Sequence, residues 1–139
     1  MLLAGPERLV GPRLRSALQG GRLPIEVIDA TEWITMEDKP AQAARSKRQS
    51  SMRIGLRLIR EAKATGFFTA GNTGAAMVTA KMVLGMVAGI DRPALATIVP
   101  TVTEAPTLLL DVGANVDSKP QNLLDFAVMG NIYALTSLG

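Results

Sequence analysis

The amino-acid sequence predicts an α/β fold with a mixed sheet, on three observations. The chain opens with an apolar run, a helical run and a second apolar run, a β-α-β pattern over residues 1–28. Two stretches, Thr69–Ala76 and Asp111–Asp117, each follow an apolar run, contain Gly and Asn, and open a helical run. Two strand-like runs, Ala94–Val99 and Thr107–Leu110, are separated only by Pro100–Pro106. Parallel strands need a crossover of about a dozen residues or more, so that pair is predicted to be antiparallel.

In chain order, Met1–Ala4 reads as the end of a strand. A strand at this position leaves an edge that needs cover, which points to residues upstream. Glu7–Leu18 has apolar residues at Leu9, Val10, Leu14 and Leu18, a helical spacing, with Pro6 suited to the first helical position. Gln19-Gly20-Gly21 ends that helix, and Ile25–Ile28 is a short strand. Asp29–Lys39 is an irregular, acidic connection, and Pro40 starts a second helical region. Ser50 or Ser51 can cap a helix through Met52, Leu56, Ile59 and Ala62, with Arg53, Arg57 and Arg60 on its other face and Gly66 at its end. Phe67-Phe68-Thr69 reads as a strand into the first glycine loop. The apolar stretch Met77–Ala88 leads out of that loop in a small, apolar helix stopped by Gly89. After the antiparallel pair, Asp117 or Ser118 can cap a last helix that has Pro120 in its first turn and reaches about Leu138.

The first glycine loop has the parts of an anion cradle. Gly71 and Gly74 open backbone conformations closed to other residues and let a ligand approach. Asn72 or Thr73 can cap the next helix, whose free N–H groups and partial positive charge suit a phosphate. The loop has neither the Lys of a P-loop nor the spacing of a dinucleotide fingerprint, and a plain strand-to-helix turn uses the same residues. Asp111, Gly113 and Asn115 belong to the second loop. Two such loops at the carboxyl edge of one sheet would face one pocket. Asp111 can serve as a base, an electrostatic anchor or a cap; Lys119 can reach an anion or stay in solvent.

The net charge of +3 is unevenly placed. Residues 41–63 hold seven basic residues against Glu61, whereas the rest of the chain holds eight basic and eleven acidic residues. Arg53, Arg57 and Arg60 fit a solvated helix face, while Arg45, Lys47, Ser50 and Ser51 sit in less regular sequence where a phosphate can bind. No aromatics interleave with the basic run, which argues against nucleic acid. There is no Cys and no His among the 139 residues. Disulfides, thiolate metal sites and His-dependent triads are thereby excluded within this chain. No secretory signal develops after Met1-Leu2-Leu3-Ala4, and the apolar run Ala75–Ile90 carries Lys81, so a cytoplasmic location is expected.

Several stretches in register resemble the phosphate acyltransferases of bacterial phospholipid synthesis. They are Met36-Glu37-Asp38-Lys39-Pro40; Arg45-Ser46-Lys47 with Ser50-Ser51-Met52; Ala70–Ala75; Gly89–Ala96; Leu109–Asp117; and Lys119-Pro120, Leu123, Phe126-Ala127, Met129-Gly130 and Tyr133. The resemblance implies a three-layer α/β/α sandwich with a mixed sheet, similar to isopropylmalate dehydrogenase and phosphotransacetylase, of which residues 1–139 form one α/β domain fragment, incomplete at both ends. It implies transfer of a fatty acyl group from acyl carrier protein to inorganic phosphate, without metal or organic cofactor. It also implies a cytoplasmic homodimer that can associate with the inner face of the membrane. Arg45, Lys47, Ser50, Ser51, Gly71, Asn72, Thr73, Gly74 and Gly113 are then the candidate phosphate-binding residues, and Lys119, Asp111 and Asn115 the candidate catalytic ones. The family has an additional first strand and continues well past Gly139, so little or no activity is expected from this chain alone. A phosphotransacetylase-like reaction on acyl-coenzyme A and a non-catalytic role docked on a complete subunit are the alternatives.

Overall fold

In the computed structural model, which describes residues 1–102, 105–113, 115 and 117–138, the chain opens with β1 (Leu2–Gly5), α1 (Glu7–Leu18) and β2 (Glu26–Asp29). β1 and β2 pair in parallel, Leu2 opposite Glu26 and Gly5 opposite Asp29, as the β-α-β pattern predicts. Pro6 precedes the helix rather than beginning it. The first helical N–H, that of Glu7, donates to the Asp29 carboxylate at 2.9 Å, so the end of β2 caps the start of α1. Gln19, left-handed at φ 45°, ends the helix.

The connection after β2 is irregular but anchored. Glu32 bridges Ser50, its N–H donating to Gln49 O at 3.2 Å and its carbonyl accepting from Ser51 N–H at 3.1 Å. α2 (Pro40–Ser46) begins at its proline, and α3 (Ser51–Arg60) is capped by Ser50, whose side chain accepts from Arg53 N–H at 3.4 Å. α4 (Thr73–Leu84) follows the glycine loop and packs against both α2 and α3. Ile34, Ala43, Met52 and Ala75 form the buried cluster among these elements. Two alanines at that centre bring the helix backbones close together, and Ala75 is fully buried.

The chain divides into two compact units, Met1–Gly85 and Met86–Gly139. The second contains β3 (Ala96–Val99), β4 (Thr107–Leu110) and α5 (Pro120–Tyr133), with a wide π-helical turn over Ala134–Leu138. β3 and β4 are antiparallel, Ala96 opposite Leu110, as the short connection requires. Gly130 of α5 sits on Leu110: a Cβ there would lie 2.9 Å from Leu110 Cδ1. The described residues thus form an α/β structure with five α-helices and two two-stranded sheets, one parallel and one antiparallel.

Three boundaries differ from the sequence reading. α3 stops at Arg60, not at Gly66, because Ala62 turns left-handed (φ 55°) and Lys63 N–H closes back on Leu58 O at 2.8 Å. α4 stops at Leu84, because Gly85 at φ 86° breaks the helix before Gly89. Phe67–Thr69 lie outside any strand ladder. The Phe67 ring instead covers Gly55 of α3, where a Cβ would stand 2.5 Å from Phe67 Cε2.

The tight approach at Ala75 gives the first prediction. Ala75→Leu should destabilise the chain by about 1–3 kcal/mol through overpacking, read as a lowered urea midpoint at unchanged slope.

Candidate functional site

The first glycine loop is held by one side chain. Asn72 Oδ1 accepts from Ala75 N–H at 3.0 Å, capping α4. Asn72 Nδ2 donates to Thr35 O at 3.2 Å and to Asp38 O at 3.1 Å. The side chain is buried, and its amide group bonds with both nitrogen protons and with its oxygen. It acts as a cap and as a tie between the loop and residues 35–38.

Residues 35–38 are fixed in turn. The Asp38 carboxylate accepts from Thr35 N–H at 2.7 Å, from Thr35 Oγ1 at 3.2 Å and from Lys47 Nζ at 2.6 Å. Lys47 Nζ also donates to Trp33 O at 3.0 Å. The Lys47 ammonium, and after it the Thr35 amide, hold the Asp38 carboxyl below its ordinary value of 3.8. Lys47 is therefore an ion-paired cation at the end of α2, and its charge is offset locally by Asp38.

Gly71 and Gly74 stand at close packing contacts and not at special backbone conformations, since neither has a positive φ. A Cβ at Gly71 would lie 2.8 Å from Met52 Cε, and one at Gly74 would lie 3.0 Å from Pro40 Cγ. The two glycines let the loop settle on α3 and on the start of α2. Among the described residues, no group accepts from the N–H of Thr73 or of Gly74. These are the first two amides of α4, and Thr73 is exposed. Free amides at a helix start, at a position fixed by tertiary contacts, are suited to an anion.

Of the other residues singled out in this unit, Ser50 is buried as the cap of α3 and Ser51 is its half-buried first residue. Arg45 is exposed in the last turn of α2. The structure thus brings Lys47, Gly71, Asn72, Thr73 and Gly74 into one hydrogen-bonded neighbourhood. Thr35, which helps hold it together, is not among the residues the sequence points to, and Asp38 enters there only within the stretch Met36–Pro40, without a role of its own. The available signal is an acidic residue two positions before the helix-starting Pro40.

In the second unit, Asp111 adopts a left-handed conformation at φ 62°, and Gly113 follows at φ 91°. Asp111 Oδ1 accepts from Asn115 N–H at 3.1 Å and Asn115 Nδ2 at 2.9 Å, and Oδ2 accepts from Ser118 Oγ at 3.4 Å. Asn115 Nδ2 also donates to Pro93 O at 3.1 Å. Asp111 and Asn115 thus shape their own loop. Ala114 and Val116 of this loop lie outside the described residues, as do Thr103, Glu104 and Gly139. Lys119, not Asp117 or Ser118, is the residue that precedes α5; its N–H donates to Asn122 Oδ1 at 3.0 Å and its side chain is exposed. The cap reaches back from inside the helix, because Asn122 is buried where an oxygen can meet that N–H. Among the described residues there is no acidic cluster that could hold a metal ion, and no helix long and apolar enough to cross a membrane.

The sequence belongs to the fatty acid synthesis protein family, whose model matches residues 1–139. It is 63% identical over 132 residues to a phosphate acyltransferase of Acidobacterium capsulatum, covering 95% of this chain and 39% of the relative. It is 58% identical over 136 residues to a phosphate acyltransferase of Koribacter versatilis, covering 98% and 38%. A phosphate acyltransferase of Heliobacterium modesticaldum is 45% identical over 139 residues, covering 100% and 41%. The chain therefore spans about 40% of the length of these curated relatives.

Two predictions test the tie. Asn72→Ala removes a cap worth about 1 kcal/mol and leaves two carbonyls without their donor at about 1 kcal/mol each, a loss of roughly 2–3 kcal/mol in chemical denaturation. Asn72→Ser restores the cap but not the tie, so it should recover only the first part. The lowered Asp38 titration sets the second prediction. The unfolded chain protonates this carboxyl more readily than the folded one, so the Asp38 contribution is complete above the ordinary value of 3.8 and fades as pH falls through the lowered folded value. The melting-temperature gap between the parent and Asp38→Asn should be constant near neutrality and shrink as pH drops below that window.

Proposed function

We propose that this chain carries the phosphate-holding part of an enzyme that makes acyl phosphate from fatty acyl-acyl carrier protein and inorganic phosphate. The main support is the 63% identity, over nearly the whole chain, to a relative named phosphate acyltransferase. The geometry of the first loop fits that chemistry. In the transfer, an oxygen of hydrogen phosphate attacks the thioester carbonyl carbon and forms the new C–O bond. The tetrahedral oxyanion then collapses and the C–S bond breaks. The carrier thiolate leaves and takes the proton that hydrogen phosphate brought, giving acyl phosphate and free carrier thiol. The nucleophile is already charged, so the protein must position it and stabilise the oxyanion rather than deprotonate it. A chain without His is equipped for that task.

In this reading the Thr73 and Gly74 amides hold phosphate. Gly71 and Asn72 shape their approach, with Lys47 acting through Asp38. Arg45 supplies cationic charge and Ser50 and Ser51 flank the basic segment, while Asp111, Gly113, Asn115 and Lys119 are the candidates of the second unit, at and just after its own loop. Millimolar affinity needs only about 4 kcal/mol. Two or three charge-assisted hydrogen bonds of about 1.5–3 kcal/mol each are sufficient. Partners in the same reading are a fatty acyl-carrier protein and a second copy of the subunit, working in the cytoplasm and at the inner membrane face.

Nitrogen-edited NMR of the chain during a phosphate titration tests the assignment. The Thr73 and Gly74 amides should move together and saturate in the millimolar range, while Ala75, already bonded to Asn72, moves less. No site-specific movement, or the same movement in chloride at equal ionic strength, would remove phosphate from this loop. Phosphate-dependent thiol release, read in a complete enzyme carrying this sequence, then separates the thioester donors: phosphate-dependent release from acyl-coenzyme A in preference to the carrier thioester would reject the carrier assignment.

A further inference from the structure

Residues 45–60 hold five arginines and Lys47, and no acidic residue. Asp38 offsets the lysine at 2.6 Å. Among the described residues, no carboxylate pairs with Arg45, Arg48, Arg53 or Arg60. Arg57 meets Glu61 only at 3.9 Å, and Glu61 is held more closely by Lys63, at 2.9 Å.

Two of these guanidiniums are fixed by main chain. Arg53 Nη1 donates to Ala44 O of α2 at 3.1 Å, and Arg60 Nη1 donates to Val83 O of α4 at 3.5 Å. A carbonyl near the end of a helix attracts a cation and leaves its full charge in place. Arg53, Arg57 and Arg60 follow one another at i, i+4 and i+7 on α3, a cationic ridge about 10 Å long. Arg45 and Arg48 are exposed just ahead of it, next to the Ala44 carbonyl that Arg53 holds and to Lys47. The ridge starts beside the first glycine loop. Met52, the residue before Arg53, has its methyl carbon 2.8 Å from the place of a Gly71 Cβ.

We propose that this ridge is the docking surface for the acyl carrier protein, which meets it with an acidic face. The inference rests on the carrier thioester as acyl donor, proposed above. Such a donor is a macromolecule whose acyl group must reach the loop, so its contact surface belongs beside the loop and outside it. The ridge has that position. Guanidinium forks pair with carboxylates in two-point contacts, and forks already fixed lose little freedom on pairing. Phosphate ions alone need no row of this length, and single-stranded nucleic acid calls for aromatic side chains that residues 45–60 do not contain.

The test is fluorescence anisotropy of a labelled dodecanoyl carrier protein, titrated with the whole chain in phosphate-free buffer. Binding should saturate and should weaken steeply with added salt. Arg48→Glu combined with Arg57→Glu should weaken it about tenfold or more. Arg8→Glu combined with Arg13→Glu makes the same change in net charge on exposed arginines of α1 and should weaken it less than about twofold. Nitrogen-edited NMR reads the surface in the unsubstituted chain: the Arg48, Arg53 and Arg57 amides should shift on adding carrier, and those of Arg8 and Arg13 should not. The proposal is overturned by absence of saturable binding, by equal losses in the two reversals, or by shifts that miss α3. Phosphatidylglycerol vesicles that bind the chain through Arg48 and Arg57, while the carrier binds both reversals alike, would make a membrane the occupant and overturn it too. Because phosphate is absent throughout, a failed phosphate titration strikes the anion role of the loop and leaves the docking surface standing; a failed carrier titration does the reverse.

Discussion

The first unit depends on the Asn72 side chain. An unpaired polar group in a buried position is costly, and Asn72 avoids that cost by bonding in three directions. One bond sets where α4 begins. The other two fix residues 35–38, onto which Lys47 closes from the end of α2. Remove the amide nitrogen and α4 keeps its cap but loses its position relative to the loop. Remove the oxygen and the loop keeps its position but the helix start frays. No other natural side chain of this length offers both a donor pair and an acceptor there.

That arrangement separates two jobs often assigned to one residue. The Asn72 side chain is occupied with structure, so the anion-binding capacity falls to main-chain amides, which it holds in place. Such amides cannot change rotamer, and their direction follows the helix axis. The Lys47–Asp38 pair has a similar character. An isolated ammonium beside an anion site adds long-range attraction, whereas one neutralised at 2.6 Å mostly adds rigidity. Net positive charge near a bound anion must then come from exposed residues, which solvent and salt weaken.

Much of the fold was legible in the sequence because the relevant rules are local. The β-α-β opening, the helix starts at Pro40, Ser51 and Thr73, and the antiparallel pair follow from periodicity, capping residues and loop length. The helix ends were less legible. Gly85 and Gly89 are equivalent on composition, and only the structure shows that the first of them breaks α4. Ala62 gives no sign in the sequence that it turns left-handed to end α3. Phe67–Thr69 has the composition of a strand, but strand formation needs a partner, and partners are non-local.

The candidate site was legible as a place but not as a set of roles. Glycine in a loop has two physical meanings, freedom at positive φ and absence of a Cβ, and sequence does not distinguish them. Gly113 has the first meaning, while Gly71 and Gly74 have the second. Their neighbours, Met52 and Pro40, are 19 and 34 residues earlier in the chain. The same non-locality hides the role of Asp38, which stands in a family-like stretch of the sequence but which only the fold turns into the link between Lys47 and the loop carrying Asn72. A glycine that exists to permit contact transmits changes at the contact. Met52 and Pro40 stand against the glycines on either side of Asn72, although neither residue touches an anion. The boundary of the site is therefore drawn by packing, and it includes residues with no chemistry of their own.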